Sequence, residues 1–118
     1  KDSGPFDPYD KDKTPSEQAF TAISLPPQCH LLSREYHPTG FENSAFLEAH
    51  YRCDQGLDVT KDAILKSPQF TGVQASPTSP DAGYYIGLKK AVGSNTALYE
   101  LALHKEQGGT TIDLETRL

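Results

Sequence analysis

The chain has no Met and no Trp, only two Cys, and no apolar run long enough to span a membrane as a helix. The lack of Met predicts a processed or trimmed product, from which any signal peptide is already gone. Catalytic signatures are also missing. There is no CxxC or HExxH spacing for a metal, no GxSxG elbow for a nucleophilic serine, and no Gly-rich loop opening a helix for a phosphate. Basic residues are outnumbered 11 to 16, for a net charge of −5. That balance argues against nucleic acid, whose binding needs clustered Lys and Arg. With 118 residues the chain has the size of one domain. Its 9 Gly and 9 Pro point to much irregular chain.

Two cysteines placed 24 residues apart are informative. Fold the stretch between them as an antiparallel hairpin whose opposed residues sum to 82, and Cys29 faces Cys53. Leu31 then faces Tyr51, Arg34 faces Glu48, Tyr36 faces Phe46 and His37 faces Ala45. Opposite charges and paired aromatics are favourable cross-strand neighbours. The register predicts a Cys29–Cys53 disulfide and an oxidising compartment, periplasmic or extracellular. A lipid anchor on a residue outside this sequence is compatible with that reading. The rival for residues 44–52 is a helix, since Ala, Leu and Glu favour one. The strand is preferred because the cysteine and Arg34–Glu48 pairings arise together.

The rest of the chain divides readily. Residues 1–13 carry charges, Pro and Gly without periodicity, and predict a flexible arm ahead of a single domain over 14–118. Thr14-Pro15-Ser16-Glu17 reads as a capping box opening a helix over residues 15–24, with Ala19, Phe20 and Ile23 on its apolar stripe. A second helix is expected over 58–66, capped by Asp58 or Thr60, with Val59, Ala63, Ile64 and Phe70 facing the core. Residues 74–83, rich in Ser, Pro and Gly, predict a loop.

Residues 84–92, 96–106 and 110–117 alternate as a three-stranded meander. Turns at Gly93-Ser94 and Gly108-Gly109 would connect them. The first turn makes Ile86 meet Leu101 and Leu88 meet Tyr99. The second, with opposed residues summing to 217, makes Leu103 meet Leu114, His104 meet Asp113 and Glu100 meet Arg117. The expected class is α+β, an antiparallel sheet with two short helices on one face in the order α-ββ-α-βββ.

Chemistry-bearing groups are sparse. His30, His37 and His50 fall in the cysteine hairpin, but His37 and His50 are not opposed in the expected register, so no metal site and no cofactor are expected. His104 opposite Asp113 resembles part of a triad without its nucleophile. The function expected from this inventory is a protein-binding module of the cell envelope, such as an inhibitor or immunity protein, with an envelope enzyme or toxin as partner. Its contact residues would be Phe41 and Glu42 in one loop and Thr78 and Asp81 in another. The alternatives are a small-ligand carrier on a curved sheet and a small hydrolase using His104 and Asp113.

Overall fold

A computed structural model describes residues 13–40, 44–79 and 83–118 of the chain. The expected arm over 1–13 lies, but for Lys13, outside the described residues. Helix α1 spans Lys13–Thr21 and helix α2 spans Leu57–Lys66. The strands are β1 (Cys29–His37), β2 (Phe46–Cys53), β3 (Ala75–Ser79), β4 (Gly83–Val92), β5 (Asn95–Glu106) and β6 (Gly109–Arg117). All pairings are antiparallel, in the sheet order β1-β2-β6-β5-β4-β3. Both helices pack on one face. The α+β class, the two helices and the disulfide between β1 and β2 are therefore as expected, and residues 46–53 are strand rather than helix.

Strand alternation builds the core. Leu47, Ala49, Tyr99, Leu101, Leu103, Ile112, Leu114 and Ile86 are buried on one face and receive Phe20, Ile23, Ile64 and Phe70 from the helical layer. The Tyr99 hydroxyl donates to the Ala19 carbonyl, which satisfies a polar group that burial would otherwise strand. Helix α1 starts at Lys13, before Thr14, so Thr14 is not its cap, and Glu17 instead accepts from Lys13 Nζ at 3.1 Å. Helix α2 is capped by the Gly56 backbone without a side chain. Its buried stripe runs through Thr60 and Ile64, and Val59 is exposed, one position off that stripe. Thr60 stays satisfied by donating to the Gln55 carbonyl at 3.0 Å.

Three expectations about strands are corrected. Residues 75–79 of the expected loop form β3, an edge strand where Pro77 is tolerated because an edge leaves amides unpaired. The second meander turn is centred on Gln107-Gly108, with Glu106 paired to Gly109. Gly108 takes φ 76°, a left-handed value that suits glycine. Opposed residues thus sum to 215. Leu103 meets Ile112, Glu100 meets Glu115, and His104 meets Thr111. The shift of two keeps each side chain on its expected face. The first turn stands as expected, pairing Ile86 with Leu101 and Leu88 with Tyr99.

The hairpin of the cysteines begins in the expected register, Cys29 to Cys53 and Leu31 to Tyr51, and then slips by one residue between Leu31 and Ser33. Arg34 meets Ala49, Glu35 meets Glu48, Tyr36 meets Leu47 and His37 meets Phe46. The reason is burial. An unbroken register would put Ser33, Glu35 and His37 on the face of Cys53, Ala49 and Leu47, inside the core. The bulge at Leu32 turns them outward and buries Tyr36 instead.

Candidate functional site

Among the described residues, the face opposite the helices gathers the four histidines and a set of carboxylates. Cross-strand partners define rows running over it. One row holds His30, Arg52, Thr111 and His104. The next holds Ser33, His50, Asp113, Ala102 and Tyr85. A third holds Glu35, Glu48, Glu115 and Glu100, ending at Gly87. The fourth holds His37, Phe46, Arg117, Leu98 and Lys89. All four histidines therefore lie on the helix-free face. Four glutamates stand side by side across β1, β2, β6 and β5, at the strand spacing of about 4.8 Å.

Like charges directly opposed across strands are unfavourable. Here imidazoles, Tyr85 and Arg117 relieve the row in part. Asp113 Oδ1 lies 2.6 Å from His50 Nδ1, and its other oxygen lies 3.4 Å from His104 Nε2. His50 Nε2 lies 3.3 Å from Glu48 Oε2. Both ring nitrogens of His50 thus face carboxylates, an arrangement that only the imidazolium satisfies fully. Its pKa is accordingly raised, by the hydrogen bond to Asp113 against the opposing cost of burial, and then by the charges of Asp113 and Glu48. Glu115 is held by Arg117 at 3.1 Å. Glu100 accepts from the Tyr85 hydroxyl at 3.2 Å.

Between these groups the sheet leaves a shallow depression of about 250 Å³, lined by Glu48, Glu100, Asp113, Glu115, Tyr85 and Ala102. The small side chain of Ala102 forms its floor between Asp113 and Tyr85. Four carboxylates and one aromatic ring around one hollow suit a cationic side chain. A second open groove of about 340 Å³ lies on the helical side, between residues 24–28 and α2, with Lys66 on its rim. It gathers no comparable charge.

The expected His104–Asp113 pair exists, but diagonally, since Asp113 opposes His50 on one side and Ala102 on the other. Ser33 opposes His50, yet no hydrogen bond joins them, and the second ring nitrogen faces Glu48. Of the expected contact residues, Phe41, Glu42 and Asp81 lie outside the described residues. Thr78 is exposed on β3, at the sheet edge farthest from β1. Cys29 and Cys53 are bonded at the end of the β1–β2 hairpin. Sequence reasoning missed the glutamate row. Its members were visible as outward positions of strands, but their lateral order depends on pairing β2 with β6.

Among the described residues no helix is long and apolar enough to cross a membrane. No protein-family model, no curated protein and no solved structure matches this chain.

Proposed function

We propose that the protein is a binding module of an oxidising, extracytoplasmic compartment, and that its helix-free face takes a cationic segment of another protein. The observation that carries this reading is the row Glu35, Glu48, Glu115 and Glu100, set beside the hollow floored by Ala102. A protein that needed only a soluble surface would gain from interspersed signs. Aligned carboxylates instead make a negative field that steers and holds a positive partner. The disulfide suits the compartment. The hollow is smaller than usual small-molecule pockets, which favours a single Lys or Arg side chain over a carried ligand. An inhibitor or immunity protein acting on a basic envelope enzyme or toxin is the form of module this surface suits best.

The test is capture from envelope extract with immobilised wild-type protein and with a Glu100→Gln, Glu115→Gln variant. The reading expects a partner that elutes with moderate salt and is lost by the variant. A partner retained equally by both proteins, or elution indifferent to salt, would move the contact surface elsewhere.

A further inference from the structure

At the β1 end of the same face, three donors from two strands converge. We infer that Glu35, His37 and Glu48 form a binding site for a divalent transition cation of the zinc type. Glu35 and His37 alternate on β1, and Glu48 opposes Glu35 on β2. His37 Nε2 lies 3.0 Å from Glu48 Oε1 and 3.9 Å from Glu35 Oε1, and one ligand atom from each of the three residues falls within 4.8 Å of the others. A tetrahedral ion with bonds of about 2.0–2.2 Å separates its ligands by about 3.3–3.6 Å. The donors bracket that distance, so small side-chain rotations place an ion among them.

The surroundings resemble those that hold metal ligands in place. The His37 ring stacks on Phe46, with centroids 4.5 Å apart and planes 18° apart. The Arg117 guanidinium also lies over Phe46, 4.5 Å from its centroid. The plane of the His37 ring is thus set by Phe46, with its Nε2 directed at Glu48. Glu48 offers one oxygen to the site while His50 holds the other, and Asp113 holds His50 in turn. Outer-shell hydrogen bonds of this kind orient ligands and support affinity. The site also answers an energetic question. Glu35 and Glu48 are directly opposed like charges, and an ion between them turns repulsion into ligation. A mixed nitrogen and oxygen donor set of three suits zinc with an open position. Calcium prefers six to eight oxygens and is not matched. The site shares Glu35 and Glu48 with the acidic row behind the partner reading, but its test reads Zn²⁺ binding by the isolated chain and so stands or falls apart from partner capture.

Zn²⁺ titrated calorimetrically into the untagged, chelator-treated chain of residues 1–118 tests it. The expected result is saturation at one ion per chain, with Co²⁺ giving the visible bands of a low-symmetry site and Ca²⁺ binding far more weakly. His50→Gln should weaken Zn²⁺ binding about tenfold, and His37→Gln or Glu48→Gln at least as much. His30→Gln, at the far end of β1, should leave it unchanged. Circular dichroism confirms the fold of each variant. Glu48→Gln, nearly isosteric, keeps the test decisive if His37→Gln fails to fold. No saturable Zn²⁺ binding, binding kept within twofold by Glu48→Gln, or equal affinity for Ca²⁺ would overturn the inference.

Discussion

His50 shows how one side chain can join two strands and report on pH. Its imidazole bridges Asp113 on β6 and Glu48 on its own strand, with His104 facing Asp113 from the other side. The folded protein raises its pKa. Its contribution to stability is thus full below the unfolded value of about 6.5 and fades as pH rises through the folded value. In chelator-treated protein, wild type should melt above His50→Gln at about pH 6, and the gap should close in alkaline buffer. Melting curves over that range check it. A gap that widened with pH would mean that His50 is held neutral. A second residue-scale prediction concerns Gly109. A Cβ there would lie 2.3 Å from the Cys53 carbonyl oxygen, a backbone atom with little room to yield. Gly109→Ala should cost about 1–3 kcal/mol, read from the urea midpoint.

Among the elements, the β1–β2 hairpin separates what the sequence displays from what it conceals. The opposed cysteines were legible because a disulfide needs proximity, and a hairpin supplies it. The one-residue slip at Leu32 was not. Arg34–Glu48 and Tyr36–Phe46 looked favourable as pairs, while the cost of an inward Glu35 and His37 emerges only once Leu47 and Ala49 are known to face the core. In the meander the alternation of Ile86, Leu88, Tyr99, Leu101, Ile112 and Leu114 was clear. The exact turn was not, because Gln-Gly and Gly-Gly both suit a hairpin and a shift of two leaves the faces unchanged. Strand β3 was hidden by Pro77, which a sheet tolerates only at its edge. The disulfide should be the main staple at the β1 side. Closing a loop of this length is worth about 3.5 kcal/mol in the chain-entropy model. Reduction, or paired Cys29→Ala and Cys53→Ala substitution, should lower stability by about 2–4 kcal/mol in denaturant titrations.

Over the whole molecule, one long-range pairing makes the surface what it is. The hairpin of residues 29–53 and the strands after α2 could have formed separate sheets. Pairing β2 with β6 fuses them, and sets Glu48 beside Glu115 and His50 beside Asp113. Pairing between distant segments leaves no local pattern, which is why the individual strands could be read and the acidic row could not. The role proposed for this row is recognition, at some cost to the fold. Glu100→Gln separates the two effects, because glutamine can still accept from Tyr85 while the charge opposite Glu115 is gone. The measurement is the melting temperature of that variant together with its affinity for an oligoarginine peptide at low and moderate salt. The expected result is a melting temperature equal to or above that of wild type, with peptide affinity about tenfold weaker and less dependent on salt. A variant that melts lower yet binds the peptide as wild type does would contradict it.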